Sequence, residues 1–327
     1  MITTKTTVFV GTVGEGLYSS SDGGKHWNRT TTGLYVEGEI RSLAYNPSNY
    51  DQLFAGTHEG VFRSDDRGIT WQRLESEMND MAVWALLVLP SNPKIVLAGT
   101  RPAGLFRSTD SGNTWKKVTT GMQTECAVII YNRVTTLIAD PANADRVWMG
   151  VEIDGAWCSE DAGITWDQRS TGLSSMDVHG LAIVPDNAGY TVVASTNNDI
   201  NLSTDAGQTW IHQNVEQKFP WRYCRGIKQQ VNNPEILYLG NGDGPPGSKG
   251  AMFRSQDGAQ NWDKLQLPVM PNSTIWDYAV HPSDHNLVYA YSCSGEVYQS
   301  GDAGNTWTKF AQEFGEIRSL MWVPSKE

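Results

Sequence analysis

Short apolar runs of strand length fill this chain from end to end, and each is broken within a few positions by Gly, Pro or a polar cluster. "VWALLVLPSNPK" (83–94) is one such run, stopped by a Pro/Asn turn. "VLAGTRPAGLFRSTDSGNTWKKV" (96–118) follows with two β-rich runs split by a Gly/Pro turn, then a polar turn, then another short run. Read together they predict four short strands. The same unit recurs along the chain, and no stretch sustains the 3.6-residue period of an amphipathic helix.

The polar turn is the most insistent feature. It reads "SSDGGKHW" at 20, "SDDRGITW" at 64, "STDSGNTW" at 108, "SEDAGITW" at 159, "STDAGQTW" at 203, "SQDGAQNW" at 255 and "SGDAGNTW" at 300. Its aspartates, Asp22, Asp66, Asp110, Asp161, Asp205, Asp257 and Asp302, are spaced by 44, 44, 51, 44, 52 and 45 residues. Four-stranded units at this period predict the blades of a propeller. Residues 6–31 supply only three strands. The missing one is "EIRSLMWVP" (316–324), which repeats "EIRSLAYNP" (39–47) almost letter for letter. The expectation is therefore an all-β fold: one domain over 1–327, a seven-bladed β-propeller of four-stranded antiparallel blades. The C-terminal strand 316–324 completes the N-terminal blade.

The repeated word resembles the Asp-box of the BNR-repeat propellers, a group that includes sialidases, xyloglucanases, sortilin-type receptors and photosystem II assembly factors. The resemblance covers the whole chain and speaks to fold. In physical terms the word is a turn device between the third and fourth strands. Ser and Asp accept or exchange local hydrogen bonds, Gly supplies the backbone freedom, and Trp fills the gap beneath the turn and between blades. One aspartate per blade is too dispersed to serve a shared substrate, and the word lacks the further acidic ligands of a calcium loop.

The Asp-box turns mark one end of every blade, so a site at the central channel belongs at the other end. Aligning the innermost strands places Arg41, Trp84, Thr135, His179, Arg225, Trp276 and Arg318 in equivalent positions. Two residues earlier, on the same side of each strand, stand Glu39, Ala82, Arg133, Asp177, Tyr223, Thr274 and Glu316. Further along, the phase turns apolar, from Leu43 through to Leu320, which predicts blade-packing core. Arginines around a concavity suit carboxylate, sulfate or phosphate, and tryptophans can stack on a sugar ring. The substrate-binding candidates are thus Arg41, Arg133, Arg225, Arg318, Trp84 and Trp276, with His58 and Arg101 from loops on the same face. The catalytic candidates are His179 with Asp177, Tyr223, Glu39 and Glu316, because a His–carboxylate pair is a plausible acid/base unit. The competing reading is structural: Arg–Glu pairs between neighbouring blades that staple the ring. Other loop candidates are Glu59, Glu152, Asp154, Asn197, Asn198, Asp199, Asp243, Lys249, Trp221 and Arg222. Among these and the inner-strand histidine, His58, Glu152, Asp154 and His179 carry no metal-ligand spacing signature, so neither metal nor other cofactor is expected. His26, His212, His281 and His285 read as surface or turn residues.

Two function classes follow. The resemblance to sialidases and xyloglucanases implies glycoside chemistry by paired carboxylates or a Tyr–carboxylate pair, with Arg41, Arg225 and Arg318 readable as a carboxylate clamp. The Arg-Ile-Pro motif that opens sialidase domains is absent, which shifts the expectation to another acid/base reaction (hydrolase, lyase or isomerase) on an anionic small molecule or sugar acid. The second class is a non-catalytic binding or assembly scaffold resembling the photosystem II assembly factors, with a protein partner. Composition trims the field. A formal net charge of −11 argues against nucleic acid or an anionic membrane as partner. The N-terminal "MITTKTTVFVGT" has no long apolar run, which predicts no signal peptide and a cytoplasmic location. Cys126, Cys158, Cys224 and Cys293 are widely spaced, without a CxxC pair, and read as free thiols in strands.

Overall fold

A computed structural model describes residues 5–186 and 189–326. Seven four-stranded antiparallel sheets form the predicted seven-bladed propeller. Blade 1 joins Thr6–Thr12, Leu17–Ser20 and Asn28–Arg29 to Ile317–Pro324 as its innermost strand. The pairing runs Val8↔Trp322 and Val10↔Leu320 and closes the ring between the two ends of the chain. The remaining innermost strands are Ile40–Asn46, Ala82–Val88, Val134–Ala139, Val178–Asp186, Tyr223–Gln230 and Ile275–Ala279, in blades 2 to 7. Two features are additional to the repeat. The long link before blade 4 folds as a small hairpin, Glu125–Cys126 with Ile130–Tyr131, and the link before blade 6 carries a single 3₁₀ turn, Val215–Gln217. Each lies within one of the two lengthened spacings.

Among the described residues the core divides into seven apolar clusters, one at each blade–blade interface. The cluster between blades 7 and 1 joins Val8, Val10 and Trp322 to Trp276, Tyr289 and Val297. Each Asp-box Trp packs in the cluster shared with the preceding blade: Trp71 with Phe9, Trp115 with Phe54, Trp210 with Trp148. A blade cannot bury its faces alone, so the ring is the folding unit.

The turn mechanics match the expectation. In the blade 2 word, Gly68 N–H donates to Ser64 Oγ at 2.8 Å, and Thr70 donates to Asp66 through its N–H (2.8 Å) and its hydroxyl (2.6 Å). The Trp71 indole N–H donates to Gly68 O at 3.1 Å. Arg67 and Gly68 both sit at positive φ, 63° and 84°, which is why a small residue or Gly recurs there. All seven Asp-box carboxyls lie below the usual carboxylate range. In Asp205 the hydroxyl of Thr209, its N–H and the Ser203 hydroxyl bring it to about 2.

A second device sets the blade spacing. The second strand of five blades places Gly against the innermost strand of the next. A Cβ on Gly99 would lie 2.4 Å from Val134 Cγ1, and one on Gly240 would lie 2.2 Å from Ile275 O. Blades 5 and 7 carry Ser195 and Tyr291 instead, and their hydroxyls donate to the carbonyls of Arg225 and Arg318. One surface reading is corrected: His281 is buried, packed against Tyr45, Tyr50 and Trp322, and burial lowers it to about 4. The four thiols are free, with Cys126 half-buried and the other three buried.

Gly240→Ala is expected to cost about 1–3 kcal/mol by forcing two backbones apart, read as a lower denaturant midpoint with an unchanged slope. For the Asp-boxes the sign is that of a depressed carboxyl: the stabilisation is complete above about pH 4 and is lost as pH falls toward about 2. The melting temperature should fall across that window, with a shallower fall in Asp205→Asn.

Candidate functional site: the axial mouth

The innermost strands enter the ring at the end away from the Asp-box turns, and their first residues converge on the axis. A cavity of about 150 Å³ there is lined by Arg41, Trp84, His179, Arg225, Trp276 and Arg318. These six come from six different blades, and Thr135 from blade 4 completes the wall. Leu43, Leu86, Tyr278 and Leu320 line this cavity and also a second, more apolar one of about 300 Å³ farther along the axis. The apolar phase expected as packing between blades is thus, at these four positions, also a collar around the channel.

Three arginines at the mouth pair with carboxylates of their own blades. Arg41 Nη2 lies 2.5 Å from Glu39 Oε2, Arg318 pairs with Glu316, and Arg133 Nη2 lies 2.5 Å from Glu152 Oε1. Each of these three pairs belongs to one blade, whereas the competing structural reading places such pairs between neighbouring blades. Between blades, Lys228 of blade 6 reaches Asp277 of blade 7 at 3.3 Å on the cavity wall, and the remaining cations lie on indoles. Trp84 takes Arg41 at 4.3 Å and Arg133 at 4.0 Å from its ring centroid, and Trp276 takes Arg225 at 3.9 Å and Arg318 at 4.3 Å. Two indoles thus partition four cations that would otherwise crowd one axis. Each such contact is worth about 0.5–2 kcal/mol, rising with desolvation. Burial lowers Arg41 and brings Arg133 down to about 10, and both remain cations at neutral pH.

Arg225 differs from the other three. It is only 5% exposed, and its nearest polar partner is Tyr223 Oη at 3.5 Å. Among the described residues no carboxylate lies within ion-pair distance of it. Asp177, at the start of the blade 5 inner strand, instead faces His179, with Oδ1 3.1 Å from Nε2. The other ring nitrogen, Nδ1, is 2.8 Å from the Cys224 carbonyl oxygen. A carbonyl only accepts, so Nδ1 carries a proton. Burial and the Arg225 charge lower His179. Burial alone would raise Asp177, but the contact with His179 and the nearby Arg225 and Arg133 charges outweigh it and hold the carboxyl low. His179 thus turns Nδ1 to a backbone carbonyl and Nε2 to the Asp177 carboxylate. Tyr223 stands beside it with ring centroids 5.1 Å apart, and burial raises its phenol.

Two loop candidates take other roles. The Arg101 guanidinium donates to Ile129 O at 3.2 Å and so braces the hairpin of the long link. His58 accepts the Glu39 N–H at 3.4 Å and lies 3.7 Å from Glu59. Neither lines the cavity. Glu152, named only as a loop residue by the sequence, is 5% exposed and reaches Arg133 at the mouth.

Comparison with known proteins agrees with the repeat. Residues 61–74 match the family model of the BNR-Asp box repeat. No curated protein sequence matches the chain. Among solved structures, a GH74 xyloglucanase from Xanthomonas campestris superposes with a TM-score of 0.69 at 20% identity, covering 96% of this chain and 52% of that one. YCF48 from Cyanidioschyzon merolae gives a TM-score of 0.54 at 15% identity over 83% and 84% of the two chains. A structure of YCF48 bound to D1 peptide gives 0.58 at 15% identity over 83% and 81%. The chain therefore shares its fold with a xyloglucanase and with YCF48, and it spans about half the length of the xyloglucanase.

Replacing Trp84 with Leu should leave Arg41 and Arg133 without their partition and cost about 1–3 kcal/mol. A double-mutant cycle with Arg133→Met checks this; a coupling energy near zero would mean the indole acts only as filler.

Proposed function

We propose that the axial mouth binds an anionic group of a small molecule, a carboxylate, sulfate or phosphate of the kind a sugar acid carries, with Arg225 as its principal partner. The observation that carries this reading is the buried Arg225 guanidinium on the cavity wall with no carboxylate of its own. A buried cation without a counter-charge is costly, and an oxyanion in the cavity would supply one with bidentate geometry. Arg41 and Arg318, on the same wall, add positive field, while Glu39 and Glu316 keep them from collapsing onto Arg225's ligand. The cavity volume, about 150 Å³, suits one such group with its near neighbours rather than a saccharide chain.

Binding is better supported than acid/base catalysis. His179 turns Nδ1 to the Cys224 carbonyl and Nε2 to Asp177 rather than to a substrate, and Glu39 and Glu316 are each held by the arginine two residues on. A hydrolase, lyase or isomerase reading would assign proton transfer to Glu39 or Glu316 after ligand binding frees one of them from its arginine. A scaffold reading is favoured by the likeness to YCF48, which has been seen with a peptide; a peptide carboxylate would meet the same arginines.

Phosphate, sulfate and glucuronate are the probes, with glucose as the neutral control. A ligand at 100 times its Kd stabilises by about 2.7 kcal/mol, so a saturable rise of several degrees in melting temperature is expected for at least one anion and not for glucose. Arg225→Met should abolish the shift, and Lys117→Ala, on an exposed strand far down the sequence, should keep it. A shift that survives Arg225→Met overturns the proposal, as does the absence of any shift at millimolar anion.

A further inference from the structure

Three lone-pair donors meet beside the mouth, from two adjacent blades. Glu152 lies in the loop between the second and third strands of blade 4, and Asp177 and His179 stand at the start of blade 5. One ligand atom from each lies within 4.8 Å of the others. All three residues are more than nine-tenths buried: Glu152 is 5% exposed, Asp177 8% and His179 6%. Buried carboxylate oxygens normally find donors. Here Glu152 Oε2 and Asp177 Oδ1 are buried without a hydrogen-bond partner, although Asp177 Oδ1 is 3.1 Å from His179 Nε2.

The arrangement of His179 gives the reason. Its Nδ1 proton is fixed on the Cys224 carbonyl, so a neutral ring turns the bare lone pair of Nε2 toward Asp177. An acceptor facing an acceptor at that distance is repulsive unless something positive sits between them. The surroundings are those of a supported ligand set. A metal-binding imidazole commonly donates its other N–H to a backbone carbonyl, and ligating carboxylates are held by hydrogen bonds from outside. Here Cys224 O does the first, and Arg133, on Glu152 Oε1, does the second while leaving Oε2 free.

We propose that Glu152, Asp177 and His179 form a binding site for a first-row divalent cation, with Zn²⁺ or Mn²⁺ as the fitting class. An imidazole nitrogen with two carboxylates suits these ions better than Ca²⁺ or Mg²⁺, which favour all-oxygen sets. Ligand distances of about 2.0–2.2 Å require only small inward shifts of side chains already this close. Two carboxylates and a neutral imidazole balance a dication, while Arg133 and Arg225 nearby weaken the attraction, so binding is expected in the micromolar range rather than tighter. The site does not depend on the anion reading of Arg225, since none of its three ligands contacts that guanidinium directly.

The test is calorimetric titration of the chelator-treated full chain with Zn²⁺ and with Mn²⁺, with Mg²⁺ and Ca²⁺ as controls and Mn²⁺ electron paramagnetic resonance as a second readout. One saturable site per chain is expected for Zn²⁺ or Mn²⁺. Glu152→Gln, which keeps an acceptor for Arg133, and Asp177→Asn should each weaken it at least tenfold, while His26→Ala, at an exposed His–Asp pair, should leave it unchanged. Circular dichroism confirms that the variants are folded. The absence of saturable binding to the folded wild-type chain overturns the proposal. So does binding that is unchanged in Glu152→Gln and Asp177→Asn, or that His26→Ala removes.

Discussion

The pairing of Thr6–Thr12 with Ile317–Pro324 is the contact on which the rest of the propeller depends. Each blade has two apolar faces and can bury them only against neighbours. Six of the seven interfaces form between blades consecutive in sequence, but the seventh, with Val8, Val10 and Trp322 against Trp276 and Tyr289, exists only when the two ends of the chain share a sheet. The same pairing places Arg318 and Glu316 at the axis between blades 7 and 2, against the face of Trp276. Closure is therefore both the source of ring stability and the step that completes the mouth.

Seven strands brought to one axis leave little room for seven side chains, and the mouth shows how that crowding is resolved. Each of three arginines is neutralised by a carboxylate of its own blade, which needs no precision in blade–blade distance. Four guanidinium–indole contacts cross between blades, beside the ion pair of Lys228 with Asp277. Arg225 and Asp177 are kept apart, with Asp177 facing His179 instead. That separation leaves a buried cation on the cavity wall and a group of acceptors beside it.

The side-chain bonds of the repeated turn are local, as Gly68 N–H to Ser64 Oγ and Thr70 to Asp66 show, and the propeller fold is shared at 15–20% identity with a xyloglucanase and with YCF48. The repeats differ at the opposite end of the blades, around the axial mouth.

The sequence by itself determined the number of blades, the strand that closes the ring, the turn role of the Asp-box, and the seven positions facing the axis. All of these follow from a period and from hydrogen bonds between near neighbours, which a repeat displays directly. Only the tertiary structure decided which charges meet. Arg–Glu pairing within blades rather than between them depends on distances of an ångström or two across the axis. The grouping of Glu152 with Asp177 and His179 joins a loop of one blade to a strand of the next, so no spacing rule could show it. His281 was legible only as a polar residue near a turn; the cavity among Tyr45, Tyr50 and Trp322 that buries it is made by residues from both ends of the chain. Local bonding is periodic and therefore readable, whereas convergence on an axis is set by how the blades tilt and close.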